Sequence, residues 1–500
     1  MRRDSKICVA IAPTTASELA TRLDEAMATE PGFIEIRFDA VEPSELSAAV
    51  EKALEFAARC RLIATFRPEA EGGFRQISDT ERKAFWRDLP SGFWGCDVES
   101  DAVSWVGHPN KIVSRHDFNG VPADVDRLFD ELSDTGPQAV KLAVMPRDTV
   151  TALPVWKTLL RASEREGEAI VIAMGDAGKW TRILAPSRGA LLTYASLDGN
   201  GATASGQVTA DEMRELYRVD EIDAKTRIYG VIGDPIGQSL SPYIHDPLFQ
   251  KAGLNAVFLP FLVKDLRGFI EKFVRPQTQE AGLSFGGLSV TMPHKLAIIE
   301  LLDELDESAR KAGAVNTVKV DDGKLVGLNT DADGFLEPLK RRVQDLKGVK
   351  VAIFGSGGAA RACLSALAET GAEITVFARN MPAAESLQPD LKYAVADLRY
   401  GNDLSGFDII VNATPIGMRG EFENASPVPE AKFSEGQIVY DLVTKATDTP
   451  LLASARKAGA RVIPGIEMLI SQGLRQFEIW TGQHGDEQLV RESLAKKMRR

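Results

Sequence analysis

Long hydrophobic runs are what this chain most plainly lacks. None of its apolar stretches exceeds the length of a strand, so no segment is expected to cross a membrane. The opening residues, MRRDSKICVAIA, contain no signal-peptide h-region and no small-residue cleavage site, and a cytoplasmic location is expected. Cysteine is scarce. Cys8, Cys60, Cys96 and Cys363 lie far apart without metal-ligand spacing; they fit buried free thiols in a reducing compartment, and no metal is expected. An excess of positive charge is missing too. With 59 Lys and Arg against 71 Asp and Glu, the net charge of −12 argues against a nucleic-acid partner. An anionic small-molecule substrate would therefore need locally placed arginines. There is no low-complexity segment, and the short charged stretch 220–226 replaces any Gly/Ser-rich or Pro-rich linker. Whether the protein is a monomer or a homodimer stays open at this level.

What is present is ordinary globular composition, 44% apolar and 26% charged, over a length that suggests roughly three domains. From residue 6 to 194 one unit repeats, an apolar strand followed by a helical pattern. Strands are expected at 7–12, 33–38, 62–66, 94–98, 111–114, 139–144, 169–174 and 190–194. Eight such units in about 200 residues is the arithmetic of a small (β/α)8 barrel. Charged residues gather at the C-terminal ends of these strands: Glu35, Arg37, Arg67, Asp97, Glu99, His116, Lys141 and Arg182. That rim is the active-site face of such barrels. An open doubly wound sheet is the alternative. Thr209 and Glu212 have capping-box form and open an expected helix through about Val219.

A second α/β region follows, with strands expected at 227–232, 257–263, 287–291, 314–320 and 325–328 and a helix from about Ala332. It leads into VAIFGSGGAAR (351–361), which reads as strand, glycine turn and helix. Gly355 permits the turn, Gly357 lets the backbone approach a pyrophosphate, and Ala360 takes the third small position. The next strand, 373–377, ends in Ala378-Arg379-Asn380, where an arginine in place of a carboxylate suits a 2′-phosphate, so NADP is expected. Further strands fall at 409–412 and 438–442, and amphipathic helices close the chain after Pro464-Gly465. The fold class is α/β. A barrel (1–222) precedes a substrate-binding domain (223–335, completed by helices 466–500) and a Rossmann-type domain (336–465).

Lys141 interrupts AVKLAV, sharing its strand face with Ala139 and Ala143. Small neighbours leave room for a ligand, and an apolar wall would lower the ammonium pKa and free the amine to attack a carbonyl. A lysine snorkelling to solvent is the plainer reading. His116, ending the preceding strand in SRHDF, is placed for acid–base work near an iminium. RPEAEGG (67–73) offers an arginine for a carboxylate and a glutamate to orient the histidine; Arg37 and Arg182 could add anion contacts. In the second half, Ser239 and Ser241 sit on a turn entering a helix, a fitting carboxylate cradle. Lys295, Asn316 and Asp331 come from three strand ends and could handle a ring hydroxyl being oxidised.

EIRFD, TFRPEAEGG, DVE, SRHDF, VKLAVMP and MGDAGKWTR, in that order, resemble type I 3-dehydroquinate dehydratase over essentially the whole first half. The resemblance implies that Lys141 forms a Schiff base with the substrate ketone. It implies that His116 moves the proton and that Glu71 orients His116. Glu35, Arg37, Arg67, Met174, Arg182 and Gln207 then line the pocket. The closing loop departs from the family: Thr203-Ala204-Ser205-Gly206-Gln207 keeps a hydroxyl at Thr203 but loses a proline.

The pieces GDPIGQSLSP, SVTMPHK, AGAVNT, GLNTDADG, GSGGAAR, NATPIGM and PGIEMLISQG resemble shikimate dehydrogenase from about Arg227 onward. The fused order is similar to the bifunctional enzymes of plants. This resemblance implies that Lys295 and Asp331 are the acid–base pair and that Ser239 and Ser241 hold the substrate carboxylate. It places Thr291, Asn316 and Gln472 at the ring hydroxyls. Gly355, Gly357, Gly358, Ala359, Arg361, Arg379, Asn380, Thr414, Met418 and Gly465 fall around NADP. Thr444 stands where the family commonly has a tyrosine. The implied activity is dehydration of 3-dehydroquinate to 3-dehydroshikimate, then reduction to shikimate. A quinate or broad-specificity dehydrogenase in the second half is the alternative, and a ligand-binding regulator without catalysis is a third reading.

Overall fold

Runs rich in Val, Ile and Ala that are buried on both faces become parallel strands here, and the amphipathic stretches between them become helices. The structure, a computed structural model, describes residues 4–164, 168–198, 206–387, 391–445 and 447–499. Strands β1 (Ile7–Ile11), β2 (Phe33–Arg37), β3 (Leu62–Thr65), β4 (Gly95–Glu99), β5 (Lys111–Asp117), β6 (Ala139–Val144), β7 (Glu168–Ala173) and β8 (Thr193–Ser196) line up in the order β7-β6-β5-β4-β3-β2-β1-β8. The Leu191 N–H reaches the Ala169 carbonyl beside the last seam, so the barrel is nearly closed. The open-sheet alternative falls away. Helices α1 (Ala16–Ala28), α2 (Leu46–Ala57), α3 (Asp79–Asp88), α4 (Val125–Ser133), α5 (Leu153–Ser163) and α6 (Gly175–Leu184) follow β1, β2, β3, β5, β6 and β7; after β4 a 3-10 turn, Ser100–Trp105, takes the helix's place.

The capping box at Thr209 is formed in both directions, 3.2 Å and 3.4 Å. The helix it opens is shorter than expected: a five-residue turn of π geometry, Glu212–Leu216. Arg218, at φ 51°, breaks the helical path before Val219.

The chain divides into two compact units, one joining Met1–Ser239 to Asn255–Phe285 and the other joining Leu240–Leu254 to Gly286–Arg500. Beside the barrel, the first unit holds the parallel pair β9 (Arg227–Gly233) and β10 (Ala256–Leu262). The helix between them, α7 (Pro242–Lys251), belongs to the second unit, whereas α8 (Leu266–Phe269) returns to the first. Aromatic packing explains the attachment. Trp180 lies 6.2 Å from Phe261 and 5.5 Å from Phe273, and Trp156 donates to the Ala281 carbonyl at 2.7 Å. Burying such rings is worth roughly 4–6 kcal/mol apiece before entropy.

The second unit contains β11 (Phe285–Val290), β12 (Glu304–Leu305), β13 (Thr317–Asp321) and β14 (Lys324–Leu328), with α9 (Glu307–Ala312) and α10 (Asp331–Lys340). β13 pairs antiparallel to both β11 and β14, and β12 runs parallel to β14. Six parallel strands follow: β15 (Lys350–Phe354), β16 (Glu373–Ala378), β17 (Ala394–Asp397), β18 (Ile409–Asn412), β19 (Ile438–Asp441) and β20 (Arg461–Pro464). Their order, β17-β16-β15-β18-β19-β20, is that of a dinucleotide-binding sheet with its switch point between β15 and β18. Helices α11 (Gly358–Leu367), α12 (Met381–Glu385) and α13 (Pro450–Lys457) connect these strands, and α14 (Gly465–Thr481) and α15 (Glu487–Arg499) end the chain. Strands β12, β17 and β20 were not expected. They are two to four residues long and incompletely buried, so the apolar signal that marks a strand is weak there. Among the described residues no helix is long and apolar enough to cross a membrane.

Candidate active sites

Alternation along each barrel strand aims every second side chain inward, and the last inward positions meet in a cavity of about 100 Å³. Glu35 and Arg37 come from β2, Arg67 and Glu71 from just past β3, and His116 from β5. Lys141 comes from β6, Met174 and Arg182 from the start and body of α6, and Gln207 from beyond β8. All nine line the cavity, as expected. Thr203 lies outside the described residues.

The Lys141 ammonium is buried, 2.6 Å from Asp97 and 3.6 Å from Glu35, and sits 4.0 Å from the Tyr194 ring centre. The apolar wall expected around it is therefore replaced by carboxylates. Ala139 and Ala143 are its neighbours along the strand, but the facing strands β2 and β4 supply charge that one strand's alternation cannot reveal. Burial opposes ionisation of Asp97, yet the adjacent Arg67 and Lys141 hold its carboxyl far below the usual range.

Arg67 also binds Glu99 at 3.0 Å, and Glu99 meets Arg82 at 3.1 Å, which forms a fork with Asp101. Asp97 and Glu99 were visible on the rim without a role; Arg82 and Tyr194 were missed. The available signal was the charged alternation in GCDVE and an arginine one turn before the buried Phe85 and Trp86 of α3.

Arg37 is likewise committed, forking onto Asp39 at 3.0 and 2.7 Å. Arg182 differs. It is 2% exposed, and among the described residues its guanidinium makes no ion pair, so burial pulls its pKa down to about 10. A buried cation with no anion beside it is a carboxylate site. Burial, then the charges of Arg67 and Lys141, drive the His116 pKa well below 6.5, leaving a neutral imidazole. Glu71 holds the His116 backbone N–H at 2.8 Å and lies 3.4 Å from Nδ1. Burial raises the Glu71 pKa, opposed by that N–H and by Arg115.

In the second unit, Lys295 follows β11 and its ammonium lies 2.5 Å from Asp331 at the start of α10. Asn316, leading into β13, donates to the other Asp331 oxygen at 2.7 Å. These three expected residues are brought together. Thr291 lies just past β11, its carbonyl receiving the His294 N–H. Gln472 lies on α14 and donates to the Leu469 carbonyl at 3.0 Å. Ser241 is buried at the head of α7, Ser239 ends the first unit's opening segment, and Thr444 is exposed beyond β19.

Gly355 has φ 123°, and a Cβ there would stand 2.8 Å from the Ala413 carbonyl just past β18, so only glycine fits the turn between β15 and α11. Gly357 caps α11 without a side chain, and the Gly357, Gly358 and Ala359 positions are open to solvent. Their free N–H groups suit a pyrophosphate. Ala360 is fully buried, letting the helix approach the sheet. Arg361 lies one turn further along α11, and its N–H bonds the Gly357 carbonyl. Arg379, just beyond β16, is exposed, as a 2′-phosphate contact requires. Asn380 spends its side-chain oxygen capping α12. Thr414 bonds Asn412 at 2.7 Å, Met418 is half exposed, and Gly465 opens α14 close against the Leu442 and Val443 carbonyls. These residues fit a dinucleotide carrying a 2′-phosphate. Among the described residues no His, Cys, Asp and Glu cluster could hold a metal.

Residues 7–224 match the family model of type I 3-dehydroquinase, 231–318 the shikimate dehydrogenase substrate binding domain, 343–417 a putative NAD(P)-binding domain and 465–495 the shikimate 5′-dehydrogenase C-terminal domain. A chloroplastic bifunctional 3-dehydroquinate dehydratase/shikimate dehydrogenase of Arabidopsis thaliana is 27% identical over 99% of this chain and 85% of its own length. A shikimate dehydrogenase (NADP(+)) of Methanopyrus kandleri is 41% identical over 56% of this chain and 98% of its own. A crystal structure of a shikimate dehydrogenase in complex with NADP+ superposes with a TM-score of 0.50 at 36% identity, covering 55% of this chain and 97% of that one.

Proposed function

The chain belongs to the shikimate dehydrogenase family, with a match to type I 3-dehydroquinase ahead of it, and on that premise we propose a two-step enzyme. It dehydrates 3-dehydroquinate to 3-dehydroshikimate and reduces that product to shikimate with NADPH. The observation that carries the first step is the cavity uniting a buried lysine, a neutral histidine and an unpaired arginine. Arg182 holds the substrate carboxylate. Lys141 passes one ammonium proton to neutral His116, its freed amine adds to the ketone, and that proton returns to the former ketone oxygen, which leaves as water as the iminium forms. Neutral His116 takes a proton from the adjacent carbon, whose electrons flow into the iminium to give an enamine. The enamine expels the neighbouring hydroxyl, which departs as water with the His116 proton, and hydrolysis frees Lys141. Glu71 positions His116, and Glu35, Arg37, Arg67, Met174, Thr203 and Gln207 complete the pocket.

In the second step, bound NADPH supplies the hydride. Lys295 gives a proton to the carbonyl oxygen as it becomes hydroxyl, and Asp331 holds Lys295 in place. Ser239 and Ser241 take the carboxylate, and Thr291, Asn316 and Gln472 the ring hydroxyls. Functional domains run 1–222, 223–335 with 466–500, and 336–465. Free, buried thiols support a cytoplasmic setting, and the acidic balance supports small molecules rather than nucleic acid as partners. A quinate-directed second half is favoured only by the short side chain of Thr444.

Borohydride added with 3-dehydroquinate should leave a reduced adduct on the peptide containing Lys141. No adduct, or one on another lysine, would refute the first step. Arg379→Glu should weaken NADPH binding by about 1.5–3 kcal/mol, the worth of one charged hydrogen bond. Equal affinity of the unaltered protein for NADH and NADPH would refute that assignment.

A further inference from the structure

Behind Lys295 and Asp331 lies a chain of buried polar side chains whose donor directions are all determined. Gln476, 1% exposed on α14, faces the Asn316 backbone carbonyl at 3.2 Å. A carbonyl can only accept, so the Gln476 end turned toward it is the amide nitrogen. That nitrogen also donates to the Thr317 hydroxyl at 2.9 Å, while Gln476 Oε1 accepts from Ser289 at 2.7 Å. Thr317 passes its own proton to Asn316 Oδ1 at 2.7 Å. The Thr330 backbone N–H, which can only donate, points at the same oxygen at 2.8 Å. Two backbone groups of opposite character thus anchor the relay at its two ends. What is left for Asn316 is to aim its NH₂ at Asp331, at 2.7 Å, and at the Thr330 hydroxyl, at 3.0 Å.

We propose that Gln476 and Thr317 are positioning residues of the reduction: they fix the Asn316 amide so that it always donates to Asp331, keeping that carboxylate an acceptor for Lys295. This rests on Lys295 and Asp331 being the acid–base pair. Were Asn316 to turn over, its oxygen would face Asp331 and favour a protonated carboxyl. Lys295 would then lose its anionic partner. Among the described residues, the ionisable groups facing the relay are Lys295, the buried Cys363 thiol on α11 and the buried His245 on α7. Neither Gln476 nor Thr317 carries a family role from the sequence. Gln476 left a signal, a polar residue on the face of α14 that also buries Phe477 and Trp480, whereas Thr317 shares its strand face with Lys319 and Asp321 and left none.

Thr317→Val keeps the side-chain shape and removes the hydroxyl. It should lower kcat for 3-dehydroshikimate about tenfold, the scale of one weakened charge-assisted hydrogen bond, and leave the KM for NADPH unchanged. The acid limb of its kcat–pH profile should move to higher pH, and Thr317→Ser should restore both. Gln476→Glu, which cannot donate toward Thr317 when ionised, should shift the profile the same way. Because the relay lies in the second unit, an unchanged affinity for NADPH and an unchanged denaturant midpoint report correct folding of each variant. The proposal is overturned if Thr317→Val and Gln476→Glu keep the unaltered kcat and pH profile while Asp331→Asn is inactive. Full activity of Asp331→Asn would instead overturn the acid–base reading, and this proposal with it.

Discussion

Lys141 and Lys295 each stand within 2.6 Å of a carboxylate, but the Lys141 side chain is 6% exposed and that of Lys295 32%. Around Lys141 the charges form a lattice. Asp97 is shared with Arg67, Arg67 with Glu99, and Glu99 with Arg82. Burial strengthens each pair and makes each hard to lose, because removal of one partner leaves a charge uncompensated in low dielectric. Lys295 and Asp331 form a simpler pair that water can screen. The barrel site is thus preassembled from buried charges, with Arg182 outside the lattice, whereas in the second unit Asp331 is buried and Lys295 is a third exposed.

The sharpest way to break the comparison is to remove each lysine. Lys141→Ala should abolish dehydration and leave NADPH-dependent reduction of added 3-dehydroshikimate near normal, and Lys295→Met should do the reverse. Loss of both activities from either change would mean shared chemistry or a shared folding defect.

Stability should separate the sites next. Arg67→Met takes one of two cationic partners from each of the buried Asp97 and Glu99 and should cost about 3–5 kcal/mol, measured by denaturant unfolding. Lys295→Met should cost less, about 1–2 kcal/mol, because Lys295 is part-exposed and Asp331 keeps its hydrogen bond from Asn316. Equal costs would contradict the contrast drawn here.

Acid should sharpen it further. In the proposed mechanism His116 is the base; its pKa is lowered by burial and by Arg67 and Lys141, so it stays deprotonated to lower pH than a free imidazole. Dehydratase kcat/KM should therefore hold steady as pH falls through 6.5 and decline only well below it. A decline centred at 6.5 or above would show that the cavity does not hold the imidazole neutral.

How much of this was legible beforehand follows from the same contrast. The barrel was readable because most of its strands, such as ICVAI, LIAT and EAIVIA, are buried apolar runs, and β6 falls at the residues expected. The glycine turn was readable because φ 123° at Gly355 and full burial at Ala360 leave little choice of residue. The lattice about Lys141 was not. Asp97, Glu99 and Arg82 meet across strands and a helix, and no local spacing encodes such meetings. The relay through Gln476 was hidden likewise, inside a helix that reads as merely amphipathic. The attachment of β9 and β10 to the barrel rests on Trp156 and Trp180, which look like ordinary core residues until their partners are known.

The smallest expected effect concerns Thr444, exposed beyond β19. Thr444→Tyr should lower KM for shikimate about tenfold or more by adding a hydrogen bond to its carboxylate, with kcat little changed. If the unaltered enzyme oxidises quinate better than shikimate and this change reverses the order, the second half is a quinate enzyme.

The central claim is that one chain carries two chemically separate sites in sequence. It is tested most directly by mixing two disabled chains, Lys141→Ala and Lys295→Met, with 3-dehydroquinate and NADPH. Neither chain alone should form shikimate, and the mixture should form it after 3-dehydroshikimate accumulates and crosses from one chain to the other. Shikimate from either variant alone, or none from the mixture when each retains its remaining activity, would contradict the account.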